Sequence, residues 1–101
     1  MNQLDLFNDY NGSNLTKDAV KPYLTKLKVA VLESLAANDN GASGSETAKD
    51  TNIIILNVRP TLTYLRDLSL IEDSGRRSKN ERGNDEIVWQ VTPFGKEALT
   101  W

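Results

Sequence analysis

The chain contains no cysteine and no histidine. Without cysteine it can form neither disulfide bonds nor thiolate metal sites. Without histidine it lacks the commonest metal ligand and the usual general base near neutral pH. We therefore expect a protein without a metal or other cofactor, and one that is not an enzyme.

Long apolar segments are also missing. No hydrophobic run approaches the ~20 residues of a membrane-spanning helix, and the first residues are polar and acidic, unlike a secretion signal. The 101 residues, of which 39% are hydrophobic and 26% charged, suffice for one modest core. We expect a single soluble domain in the cytoplasm that does not contact a membrane.

The net charge of −2 conceals an uneven distribution of cations. Several lysines fall between residues 15 and 37, while most acids lie elsewhere. A second basic segment, residues 76–83, carries one acid, Glu81, and four cations, which are Arg76, Arg77, Lys79 and Arg82. Cations concentrated in this way are typical of a surface that contacts phosphate, although a charged run can also be an ordinary solvated face.

Residues 57–69 have the spacing of an amphipathic helix. Its buried side would carry Val58, Leu62, Leu65 and Ser69. The helix could begin after an Asn57 cap or at Pro60, and either start places Arg59 at the positive N-terminal end, where anions bind. The remaining positions should lie on the solvent side or its flanks, and they include Thr61, Thr63, Tyr64, Arg66 and Asp67.

The pattern then changes to that of a β-hairpin. Ile71 can open one strand, and Gly75 and residues 83–85 supply turn residues. Residues 87–92 alternate as a half-buried strand does, with Trp89 facing the core. Residues 92–95 end this strand, and Lys96 to Leu99 can form a closing helical turn.

This helix, the basic hairpin and the ending VTPFGKEAL resemble the second half of a winged helix-turn-helix domain, as found in small phage and prophage proteins. The resemblance implies an α+β, mostly helical fold that consists of a three-helix core and a two-stranded wing. The whole domain would span residues 14–101. It also implies binding to double-stranded DNA through the third helix and the wing. The candidate contacts are Arg59, Thr61, Thr63, Tyr64, Arg66, Arg76, Arg77, Lys79 and Arg82.

For each of these residues a structural role is the alternative. Arg59 could pair with a carboxylate, Arg66 with Asp67 or Glu72, and Tyr64 could pack against the first helix. The hydroxyls of Thr61 and Thr63 could simply be exposed.

The upstream segments would supply the supporting helices. Asn14 or Thr16 can cap a short helix, and Pro22 interrupts or starts the main one. An apolar stripe follows along Val20, Leu24, Leu27, Val31 and Leu35. Ser43 and Glu46 have capping-box spacing for a second helix to about Thr51, and Asn52 can take the left-handed turn. We expect residues 53–56 to be core and the start of the third helix.

Residues 1–13 predict a flexible tail that contains Gln3, Leu4, Asp5, Leu6 and Phe7. This pentapeptide resembles the motif with which bacterial proteins bind the DNA sliding clamp, and all five positions match. The resemblance implies that Leu6 and Phe7 enter an apolar pocket while Gln3 bonds at its rim. Alternatively, these apolar residues cover the domain's own core.

Two other function classes are compatible with the sequence. Glu72-Asp73 and Asp85-Glu86 could face each other across the hairpin and hold Mg²⁺ for phosphodiester cleavage. A winged helix can also bind proteins, so the chain could be an adaptor or inhibitor that acts on the host clamp without binding DNA. We expect a monomer or a weak homodimer.

Overall fold

The computed structural model describes residues 16–101, which form an α+β fold. In chain order these residues form α1 (Lys17–Val20), a 3₁₀ turn (Lys21–Tyr23), α2 (Lys26–Ala36), α3 (Gly44–Thr51), α4 (Ile55–Asp67), β1 (Ile71–Lys79), β2 (Asp85–Val91) and α5 (Pro93–Ala98). About half of these described residues are helical. The tail expected at residues 1–13, including the clamp-like pentapeptide, lies outside the described residues.

The helix starts follow the caps that the sequence carries. The Thr16 hydroxyl accepts a hydrogen bond from the Ala19 amide, and Ser43 and Glu46 form the predicted reciprocal capping box. Asn52 ends α3 in the left-handed conformation with φ 58°, which asparagine tolerates better than most residues. These predictions are confirmed.

The core lies between α2, α3, α4 and the hairpin. Leu32, Leu35, Leu65, Leu68 and Leu70 are almost fully buried there. The Ser34 hydroxyl donates to the Asp50 carboxylate at 2.7 Å and ties α2 to α3. The predicted stripe along α2 is correct at Val31 and Leu35 but wrong at Leu27, which is 39% exposed because the next turn buries Leu32 instead.

A Schellman motif ends α4. The Leu70 amide donates to the Leu65 carbonyl and the Ser69 amide to the Arg66 carbonyl, with Ser69 at φ 62°. Ser69 was expected on the buried seam of the helix, but it lies beyond the last helical residue, Asp67. This turn brings the chain directly into β1.

The two strands form an antiparallel sheet whose register runs from Ile71 opposite Val91 to Lys79 opposite Asp85. The register shifts between Asp73 and Arg77, where Gly75 takes φ 85°, a conformation that favours glycine. On the other side of β2, the backbones of Ala42 and Trp89 exchange two hydrogen bonds.

The expected alternation along β2 is only partly correct. Trp89 is buried as predicted, but its neighbour Val88 is buried too, and the backbone at Gly41 lies close to the Val88 side chain. The last helix also begins earlier than expected, at Pro93, with the Thr92 hydroxyl accepting from the Gly95 amide. Phe94 meets Trp101 edge to face, with ring centroids 5.5 Å apart, and both pack against the core.

Candidate nucleic-acid interface

The predicted third helix, α4, turns one side to the core and leaves the opposite side in water. Val58, Leu62 and Leu65 are buried, as their spacing predicts. At 100° per residue, the line opposite that seam carries Leu56, Pro60, Thr63 and Asp67. We call Leu56, Pro60 and Thr63 the outer ridge of α4, and all three are exposed.

The helix starts earlier than either predicted start. Its cap is Ile54 and its first residue is Ile55. Ile55 packs against the core, and the helix therefore begins closer to α3 than expected. Pro60 lies inside the helix, with its ring on the solvent side. Arg59 is therefore in the second turn, and the expectation that it lies at the N-terminal anion site is wrong.

Thr61 does not have the exposure that base or phosphate contact requires. It is 6% exposed, and its hydroxyl donates to the Asn57 carbonyl at 2.7 Å. The expected outward position of Thr61 is wrong, because this residue packs beside Leu62 on the core side of the helix. Thr63 is exposed, and its hydroxyl donates to the Arg59 carbonyl at 3.3 Å.

Tyr64 contacts α2. The Lys28 ammonium lies 3.6 Å from the centre of its ring, and the same ammonium donates to the Tyr23 carbonyl at 3.0 Å. Desolvation lowers the pKa of Lys28, and burial raises the pKa of Tyr64. The structure therefore matches the packing alternative for Tyr64 and places the Lys28 ammonium between α4 and the 3₁₀ turn.

The two arginines of α4 lie on the flank of the outer ridge. Arg66 pairs with Asp67 at 3.1 Å, one of the two partners that the sequence suggested. Arg59 approaches Glu86 of β2 at 4.0 Å, and its side chain is 61% exposed. Both guanidiniums remain accessible from solvent.

The four cations of residues 76–83, which we call the hairpin tip, differ in their partners. Arg77 binds both carboxylate oxygens of Asp73, and Lys79 pairs with Asp85 at 2.9 Å. The Arg76 guanidinium donates to the Asn40 carbonyl. Within residues 16–101 the Arg82 side chain has neither an ion pair nor a hydrogen bond. The basic tip is thus partly neutralised by carboxylates of its own hairpin.

Glu86, which lies close to the turn of the hairpin, connects β2 to α3. Its carboxylate accepts from the Ser45 amide at 3.1 Å and from the Ser45 hydroxyl at 2.5 Å, and its side chain is 11% exposed. Burial alone would raise the pKa of Glu86, but hydrogen bonds from Ser45 and Asn80, with the charge of Arg59, bring it below its ordinary value. The carboxylate is therefore charged at neutral pH and holds the hairpin against the helices.

A second contact joins the tip of the hairpin to α3. Lys49 and Glu81 form an exposed ion pair at 2.6 Å. The hydrogen bond between them raises the pKa of Lys49 and lowers the pKa of Glu81. The hairpin is thus attached to α3 by two contacts near its turn, one through Glu86 and one through Glu81.

Between these contacts lies an open groove of about 870 Å³. The first two turns of α4 form one wall through Leu56 and Arg59, and the hairpin tip forms the other through Lys79 and Arg82. The charged lining residues are equal in number, with Lys49, Arg59, Lys79 and Arg82 against Glu46, Glu81, Asp85 and Glu86. The start of α4 and the turn of the hairpin therefore face the same solvent space.

The carboxylates of the alternative nuclease site do not meet. Glu72 lies opposite Gln90 and Asp73 opposite Trp89, whereas Glu86 lies opposite Ser78. This register separates the two acidic pairs along the hairpin. In the described part of the chain, no group of three or more acidic residues is placed to hold a metal ion.

Sequence reasoning missed the exposed apolar residues at the start of α4. Ile54 is 62% exposed and Leu56 76% exposed, so the expectation that residues 53–56 are core is wrong for these two. Consecutive residues of a helix point 100° apart, and four in a row therefore cannot all face one core. The spacing of Leu56, Pro60 and Thr63, four and then three residues, places them along one side of a helix and was the available signal.

Comparison with known proteins adds no family assignment, since neither a protein-family model nor a curated protein matches this chain. Residues 16–101 also include no helix with the length and apolar character needed to cross a membrane.

Proposed function

We propose that this chain is a small winged helix-turn-helix protein that binds double-stranded DNA. In this proposal α4 enters the major groove and the β1–β2 hairpin is the wing that contacts the neighbouring backbone. The observation that carries it is the shared groove, in which the exposed start of α4 faces the end of the hairpin that carries Lys79 and Arg82. The left-handed turn at Asn52 between α3 and α4 also suits a helix-turn-helix.

The ion pairs of the tip are compatible with phosphate binding. Arg77 and Lys79 are each about half or more exposed in their pairs, and such surface pairs typically contribute only ~0–1 kcal/mol. A phosphate can therefore replace Asp73 or Asp85 at little cost. Arg82, which has no such partner to leave, should contribute most to affinity.

Fluorescence anisotropy of a labelled duplex over a series of salt concentrations tests this proposal. The variant with Arg76, Arg77, Lys79 and Arg82 all changed to Ala should bind every sequence more weakly, with a salt slope reduced by about 0.9 for each phosphate that the wing no longer neutralises. Arg82→Ala should weaken binding more than Arg77→Ala, and Asp73→Asn should strengthen it. Unchanged binding by the fourfold variant would remove the wing from the interface.

Absence of binding to any duplex at low salt would instead favour a protein-interaction adaptor.

We propose as well that Gln3, Leu4, Asp5, Leu6 and Phe7 attach the protein to the bacterial sliding clamp. This part depends on the sequence match alone. Tethering would raise the local concentration of the domain on DNA. A variant with Leu6→Ala and Phe7→Ala that still co-elutes with purified clamp would contradict it.

A further inference from the structure

The outer ridge of α4 presents hydrocarbon where a DNA-contacting helix would usually carry polar groups. Leu56 is 76% exposed at its N-terminal end, and Pro60 follows it one turn later. Neither side chain can donate or accept a hydrogen bond. Whatever covers this end of the helix must therefore offer an apolar contact.

The shape and charge of the surroundings indicate the covering partner. The ridge is convex, because it runs along the side of a 13-residue helix opposite the core, and a helix ~10–12 Å across fits a major groove ~12 Å wide. Arg59 and Arg66 lie together on one flank of it, with side chains 61% and 52% exposed. A basic flank beside the apolar start of the ridge complements a groove with an anionic rim and an apolar feature on its floor.

Thymine supplies that feature. In the major groove the edges of adenine, guanine and cytosine present hydrogen-bonding groups, and only thymine adds a methyl group. Leu56 against a polar edge would remove water from that edge without replacing its hydrogen bonds. Against the thymine methyl, the same side chain buries hydrocarbon on hydrocarbon.

We propose that Leu56 contacts a thymine methyl group in the major groove and thereby makes the protein select a site with thymine at that position. This inference rests on the proposed DNA binding. Arg59, on the flank nearest the hairpin, then contacts the adjacent phosphate or base without determining this position.

The test begins with selection of preferred sites from a random duplex pool with the full-length wild-type chain. Each thymine of the selected site is then replaced in turn by deoxyuridine, which removes the methyl group and leaves the base pair intact. One replacement should weaken wild-type binding about fourfold, the equivalent of ~0.8 kcal/mol per buried methylene-sized group. The same replacement should have no effect on Leu56→Ala, while Leu27→Ala, a change at an exposed leucine of α2, should keep the wild-type response.

Each other outcome overturns the inference in a recognisable way. If wild type binds DNA but all deoxyuridine duplexes bind equally, or Leu56→Ala keeps the penalty, Leu56 does not contact thymine although DNA binding stands. If wild type binds duplexes with no site enriched, the selectivity is refuted and the proposed function survives. If no duplex binds at low salt, both fail. If Leu56→Ala dissociates a dimer in analytical ultracentrifugation, a second copy of the chain covers the ridge instead.

Discussion

Removing the Glu86 carboxylate should measurably destabilise the domain, because this group joins the hairpin to α3. Glu86→Ala eliminates two hydrogen bonds that Ser45 donates. It also removes the negative charge that lies near the Arg59 guanidinium. Hydrogen bonds to charged groups contribute roughly 1.5–3 kcal/mol each, and water replaces part of that at a half-buried serine, so we expect a loss of about 2–3 kcal/mol. In a domain of this size that loss corresponds to a fall in Tm of roughly 10–20 °C.

Urea denaturation followed by the fluorescence of the two tryptophans, with a thermal melt beside it, measures this loss. Glu72→Ala is the matched control, since it removes the same charge from the same hairpin. Glu72 is exposed and accepts only a hydrogen bond from Gln90, so its loss should stay within about 0.5 kcal/mol. Equal stabilities of the two variants would refute the assigned role of Glu86.

The pH dependence of the same variants gives an independent check with a defined sign. The folded-state pKa of Glu86 is lowered, so its contribution to the free energy of unfolding is fully present above the unfolded pKa and is lost as the pH falls through the folded one. Wild type should therefore lose more stability than Glu86→Gln on acidification below about pH 5. Asp73 and Glu81 titrate in both proteins, so the difference between the two curves reports on Glu86.

Three further predictions, the first with a control variant, test the local packing by chemical denaturation. Gly95→Ala should cost about 2 kcal/mol or more, because an added Cβ would lie 2.0 Å from the Leu70 carbonyl oxygen, whereas Gly44→Ala, with a nearest neighbour at 3.4 Å, should change little. Ser69→Gly should stabilise by about 1 kcal/mol by relieving a left-handed backbone, and a neutral result would contradict that strain. Pro60→Ala should stabilise by roughly 1–2 kcal/mol, because it restores the missing bond to the Leu56 carbonyl; destabilisation would show that the proline ring packs favourably.

The partly neutralised hairpin tip changes how its basic sequence should be interpreted. Residues 76–83 are cationic, but Asp73 and Asp85, just outside that segment, pair with Arg77 and Lys79. A strand pairing brings Asp85 opposite Lys79, which a count of charges along the chain does not reveal. The number of phosphates that the wing neutralises is therefore best taken from the measured salt slope.

The sequence alone determined the features that depend on neighbours a few residues apart. At the Thr16 and Ser43 caps, a side chain hydrogen-bonds to a backbone amide three residues later. At Asn52, the residue type itself tolerates the left-handed backbone conformation. The hairpin and the buried seam of α4 followed from periodicity in the same way. These elements suffice for an α+β architecture with a two-stranded sheet.

Only the tertiary structure decided which side chains are available for contact. Thr61 is buried while Leu56 is exposed, and Glu86 meets Ser45, 41 residues earlier in the chain. Burial and ion pairing are set by the angle at which one element lies against another, and that angle results from the packing of the whole core. Residue type and spacing along the chain do not determine this packing angle directly.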